Sequence, residues 1–188
     1  MGKIIAFGYS KRAGKDTCGK FLDSFLRVER PGLKVKKISF ASKLKDISYQ
    51  LYGWANLQPG VYYETEAGAK IKEVVLPKLG KSPRQLWIEV GNKMREVYTG
   101  TWLDYALNGV AADIIIITDL RFRNEGNAVI DAGGLCYEVD RPGIDKGHDA
   151  AEVDLINWSG WHGLILNDGS LQDLNAKIEE IGRGLLRA

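Results

Sequence analysis

Gly8-Tyr9-Ser10-Lys11-Arg12-Ala13-Gly14-Lys15-Asp16-Thr17 is the stretch that decides the fold. It follows a short apolar strand pattern at 3–7, Lys-Ile-Ile-Ala-Phe. It opens a segment, from Lys15 to about Arg27, in which Phe21, Leu22, Phe25 and Leu26 have helical spacing. Strand, glycine turn and helix in that order are the setting of the motif G-x-x-x-x-G-K-[ST]. In such a turn, backbone N–H groups converge on phosphate oxygens. The helix N-terminus adds a favourable field, and the lysine reaches the β- and γ-phosphates. The chain departs from the motif twice. Tyr9 stands at the first glycine, with Gly8 one place earlier, and Asp16 stands at the Ser/Thr, with Thr17 next. A carboxylate is a hard oxygen ligand, so Asp16 is expected to bind magnesium or to orient water on it. Lys15 reads as an exposed loop lysine that meets the transferring charge.

Outward from this turn, strands and helices alternate. Residues 34–39 read as a second strand, ended by Phe40, and 41–52 as a helix. The Gly-, Asn- and Pro-rich stretch 53–63 reads as loop. Helical patterns return at about 66–76 and from Ser82, where Ser82-Pro83-Arg84-Gln85 offers a cap, a first-turn proline and a capping box. Residues 113–118 are apolar on both faces, as buried parallel strands are. A helix near 124–132, strands at 135–139 and 163–166, and a capped helix from Ser170 follow. This order predicts a single α/β domain over 1–188 with three layers and a five-stranded parallel sheet (3–7, 34–39, 113–118, 135–139, 163–166). The block 41–110 is too large for a simple crossover. It reads as a helical substrate-binding insertion over the carboxyl ends of the strands. Residues 140–150 lack periodicity and read as a lid.

Composition excludes other classes. The 188 residues carry 26 Lys+Arg against 24 Asp+Glu, a net charge of +2 that argues against general nucleic-acid binding. The longest apolar run, Ile114 to Ile117, is far below the ~20 residues a bilayer span needs, so no membrane partner is expected. No secretory leader is visible at the N-terminus, and two cysteines are too few for a disulfide framework or a four-ligand zinc site. Cytoplasm is the expected location.

The remaining candidates follow from what phosphoryl transfer needs, namely positioning and charge neutralisation. Asp119 ends a buried strand at the sheet edge where ligand chemistry sits. It is expected to serve magnesium or to orient the acceptor phosphate; capping the following turn is its other reading. Arg121 and Arg123 follow, and guanidinium forks suit phosphate. Arg84 and Arg95, eleven residues apart, share one helix face and are expected to divide acceptor phosphate and base between them. Arg141, on the lid, is expected to meet the phosphates when the lid closes. Lys146 is a weaker candidate, and His148 reads as structural. One or two of the tryptophans, Trp102 among them, are expected to stack a base.

The segment Lys11-Arg12-Ala13-Gly14-Lys15-Asp16-Thr17 resembles the phosphate loop of phage deoxynucleoside monophosphate kinases. The resemblance continues through Ser39-Phe40-Ala41-Ser42-Lys43-Leu44-Lys45 and through Ser82-Pro83-Arg84-Gln85-Leu86 with Gly91 and Arg95, where Trp87 replaces a glutamine. It includes Asp119-Leu120-Arg121-Phe122-Arg123-Asn124-Glu125 and the tail Asn167-Asp168-Gly169-Ser170-Leu171. It implies a nucleoside-monophosphate-kinase fold, ATP and magnesium as cofactors, and γ-phosphoryl transfer to a deoxynucleoside 5′-monophosphate. Lys11 to Thr17 would contact ATP, and Lys43, Lys45 and Glu125 would contact the substrate. His148-Asp149-Ala150-Ala151-Glu152 is also similar to an acidic segment of animal-type phosphomevalonate kinases. A small-phosphate kinase and a non-catalytic nucleotide-binding regulator therefore stay open, as does a homodimer.

Overall fold

A computed structural model describes residues 2–144 and 153–187. Lys146, His148 and most of the expected lid lie outside the described residues. Strand β1 (Lys3–Gly8) leads through the phosphate-type turn into helix α1 (Lys15–Glu29). β2 (Val35–Ile38), α2 (Phe40–Tyr52), α3 (Glu66–Ile71), α4 (Pro83–Val97) and α5 (Thr101–Leu107) come next. β3 (Ile114–Leu120), α6 (Arg123–Asp131), β4 (Leu135–Asp140), β5 (Gly163–Leu166) and α7 (Leu171–Arg187) complete the order. The five strands form one sheet in the order β2-β3-β1-β4-β5, every neighbouring pair parallel. No described helix is long and apolar enough to cross a membrane.

The chain divides into two compact units, Met1–Ser39 with Gly109–Ala188, and Phe40–Asn108. The first contains the sheet. Its core joins Ile5 and Phe7 of β1, Leu22 and Leu26 of α1, Ile116 of β3, and Leu174 and Ile178 of α7. Glycines set the close approaches. A Cβ at Gly19 would lie 2.3 Å from the Thr118 Cγ2, so α1 packs against β3 at the distance only glycine permits. α7 starts from a reciprocal cap: Ser170 N–H donates to Asp173 Oδ2 at 2.8 Å, and Asp173 N–H donates to Ser170 Oγ at 3.2 Å. β3 runs two residues past its expected end because Leu120 still pairs with Gly8, and its carbonyl accepts the Tyr9 N–H at 3.2 Å. Asp119 therefore sits inside the strand, with a fixed backbone.

The second unit is built around Leu57, Tyr63, Leu86 and Trp87. α4 begins as its sequence predicts, with both hydrogen bonds of the Ser82–Gln85 capping box. The stretch 53–63, expected as loop, instead forms 3₁₀ turns at Gly53–Ala55 and Gly60–Glu64. Burying Leu57 and Tyr63 holds it, and the Tyr63 hydroxyl accepts the Gln58 N–H at 3.1 Å. α3 stops at Ile71 rather than 76. Beyond it the chain turns and pairs Leu76 with Lys81 in an antiparallel bridge.

Candidate phosphate-binding site

The turn between β1 and α1 owes its shape to three residues with left-handed backbone: Tyr9 (φ 85°), Arg12 (φ 59°) and Gly14 (φ 107°). Tyr9 thus keeps the conformation for which the motif uses glycine, although a side chain disfavours it. Gly8 serves another purpose, since a Cβ there would lie 2.7 Å from the Trp161 ring. Gly14 caps α1 and accepts the Cys18 N–H at 2.9 Å. From the far end of the chain, Asn167 Nδ2 donates to the Ala13 carbonyl at 2.8 Å and ties the turn down.

Lys15 is not the exposed lysine its position suggests. It is 7% exposed, because its Nζ turns back under the loop and donates to the carbonyls of Tyr9, at 3.0 Å, and of Ser10. An ammonium resting on two neutral carbonyls is well placed to exchange them for anionic phosphate oxygens, which bind it more strongly. Ser10 is fully buried, and its hydroxyl has no hydrogen-bond partner among the described residues. A cradle of this kind, with an orphaned polar atom in it, fits a phosphate group.

Both carboxylates expected at magnesium are held by hydroxyls, one from β3 and one from just after β2. Thr118 Oγ1 donates to Asp16 Oδ1 at 2.7 Å, and Ser39 Oγ donates to Asp119 Oδ2 at 2.7 Å. No group of three or more His, Cys, Asp or Glu able to hold a metal ion occurs among the described residues. Carboxylates such as those of Asp16 and Asp119 are the hard oxygen donors that magnesium takes one or two at a time, with water and phosphate completing its octahedron.

Three expected ligands are otherwise engaged. Glu125 is buried, and its Oε2 accepts the N–H groups of Arg121 and Phe122 at 3.0 and 3.1 Å. It caps α6 and positions the Arg121 backbone. Arg123 spends its fork on the chain itself: Nε donates to the Asp154 carbonyl and a terminal nitrogen to the Ile156 carbonyl, both at 2.6 Å. Its own N–H donates to Asp154 Oδ2 at 2.6 Å. Arg123 thus anchors 154–156. Trp102 is 2% exposed and donates Nε1–H to the Gly91 carbonyl at 3.1 Å, so it is core and offers no face to a base.

Arg121 is half-buried beside the end of β3, and Arg141 is exposed just after β4. In the second unit, Lys43 is exposed with its Nζ 5.3 Å from the centre of the Tyr105 ring. Lys45 pairs with Glu64 at 2.5 Å and lies 5.5 Å above the Trp87 ring. Burial pushes the Glu64 carboxyl up, but the Lys45 hydrogen bond and charge outweigh it and leave it below its usual range. Arg84 pairs with Glu73, and Arg95 is half-buried further along α4. Ser39, Thr118 and Asn167, which hydrogen-bond Asp119, Asp16 and the turn, and the buried Ser10 are not among the ligands expected from sequence. Asn167, Ser39 and Thr118 stand in recognisable motifs, whereas nothing in the sequence singles out Ser10. Burial pushes the thiols of Cys18 and Cys136 up to about 12, so neither is a nucleophile.

A parallel sheet in this order, with a left-handed phosphate-type turn leading from its central strand into a helix, defines a P-loop α/β fold. No protein-family model matches the chain. Over 198 aligned residues it is 26% identical to the "Putative deoxynucleotide monophosphate kinase" of Acanthamoeba polyphaga mimivirus, covering 93% of each chain. Among solved structures, it is similar to shikimate kinase from Acinetobacter baumannii, with a TM-score of 0.45 and 14% identity over 98% of this chain and 94% of that one. Dephospho-CoA kinase from Campylobacter jejuni gives 0.42 and 14% over 98% and 97%.

Proposed function

We propose that this chain is a P-loop kinase that transfers the γ-phosphoryl group of ATP to a deoxynucleoside 5′-monophosphate. The observation that carries the reading is the turn 8–15, where Lys15 rests on two carbonyls beneath a backbone curled as a phosphate requires. The acceptor class is supported by the mimivirus relative, whose likeness extends over nearly the whole of both chains.

Residues 11–17 are the proposed ATP contacts, with Arg141 as an additional phosphate cation. Bound magnesium would neutralise charge on the β- and γ-phosphates, and Asp16 and Asp119 are the residues proposed to hold it or its waters. Lys15 offsets the charge that gathers on the transferring group, and Arg121, its backbone held by Glu125, orients the same group. Because the acceptor is already an anionic phosphate oxygen, no side chain has to remove a proton. Arg84, Arg95, Lys43 and Lys45 are the proposed acceptor ligands, on the second unit. Glu64 and Glu73 hold two of these cations in place until a phosphate competes for them.

The test is ADP release with ATP and magnesium, with each deoxynucleoside monophosphate added singly. Release that depends on at least one of the four, and vanishes in Lys15→Ala, is expected. Release independent of all four would be transfer of the phosphoryl group to water and would remove the nucleotide assignment. Binding of ATP without any release would favour a regulator.

A further inference from the structure

We infer that Ser10 is a nucleotide-binding residue whose hydroxyl is satisfied only when a phosphate occupies the turn. This rests on the phosphate-loop reading above. The side chain is fully buried and its Oγ has no partner among the described residues. A buried hydroxyl without a partner is destabilising, and folded proteins tolerate few of them. It lies in a segment where such penalties accumulate. Tyr9, immediately before it, has φ 85°, and Arg12, two residues on, has φ 59°; left-handed backbone at residues with side chains is costly. The Ser10 carbonyl also accepts from the buried ammonium of Lys15. Unfavourable conformations clustered in one loop are what a site pre-shaped for a ligand looks like, since the ligand's contacts offset them on binding.

Binding of a di- or triphosphate draws Lys15 Nζ toward phosphate oxygens and away from the Tyr9 and Ser10 carbonyls. The backbone at 9–10 is then released to turn, and the Ser10 O–H donates to a phosphate oxygen. An alanine at this position would fold equally well and would avoid the orphaned hydroxyl. Serine is thus a residue whose presence makes sense for binding and not for stability.

That opposition of sign is measurable. Ser10→Ala is compared with wild type in two ways: thermal unfolding of the nucleotide-free chain, and ADP binding by calorimetry. The expected result is a melting temperature for the free variant equal to or ~2–4 °C above wild type, as relief of about 1 kcal/mol gives at this size. ADP affinity should fall roughly tenfold, as loss of one phosphate hydrogen bond gives. Ser10→Cys, which keeps the shape and weakens the donor, should bind ADP as Ser10→Ala does. If Ser10→Ala destabilises the free chain, or binds ADP as wild type does, the inference is overturned. If wild type itself fails to bind ADP, it is the phosphate-loop reading that fails.

Discussion

Gly14→Ala is expected to weaken ADP binding about 30- to 150-fold, and the loss should depend on Asn167. Gly14 sits at φ 107°, and a Cβ there would come 2.7 Å from Asn167 Nδ2. An alanine in left-handed backbone costs roughly 1–2 kcal/mol. Its methyl also drives the Asn167 amide off the Ala13 carbonyl, forfeiting a 2.8 Å hydrogen bond that contributes about 1 kcal/mol. Together these make about 2–3 kcal/mol against the curled loop. Apparent affinity falls in proportion to the fraction of molecules that keep the loop, at about 1.4 kcal/mol per tenfold. Asn167→Ala alone loses only the hydrogen bond and should weaken binding about fivefold. The double variant has no amide left to displace, so it should bind no worse than Gly14→Ala by itself. The cycle is measured by calorimetry with ADP. Strict additivity of the two losses would refute the reasoning, because it would mean that the methyl and the amide never meet.

Lys15→Ala should reduce turnover by ~10³-fold or more, the scale of losing a preorganised electrostatic contact; retention of a tenth of the rate would remove it from the site. Asp16→Asn should raise the magnesium concentration needed for half-maximal rate and Asp16→Ser should recover much of the loss, whereas overlapping magnesium titrations would exclude a metal role. For the two thiols, the folded chain holds its protons up to about 12 while the unfolded chain loses them near 9, so the native state binds more protons between those limits. Stability should therefore fall above pH 9, by about 1.4 kcal/mol per pH unit per thiol. At pH 8 neither cysteine should react with a thiol reagent until the chain is denatured, and fast labelling of the folded protein would contradict their burial.

The sheet was legible because its signals are local and repeated. Ile114 to Ile117 reads as a strand buried on both faces, and the glycine turn between 3–7 and Lys15 has a strand before it and a helix after it, the setting of a phosphate turn. The elements of Phe40–Asn108 were less so, since what holds 53–63 is the burial of Leu57 and Tyr63, a tertiary fact without periodicity. The backbone geometry of the turn was readable, because the motif specifies its spacing. Arg123, Glu125 and Trp102 were not. An arginine on backbone carbonyls, a glutamate capping a helix and a tryptophan bonded to Gly91 carry the same residue types as ligands do. Only the positions of Asp154, Arg121 and Gly91 separate the two uses.

The most direct measurement follows the phosphoryl group itself. The intact chain is incubated with magnesium, γ-labelled ATP and an equimolar mixture of the four deoxynucleoside monophosphates, and the products are separated. Label appearing in one or more deoxynucleoside diphosphates, and absent from them with Lys15→Ala, is the predicted result. Label found only in inorganic phosphate or remaining in ATP would contradict a nucleoside monophosphate kinase.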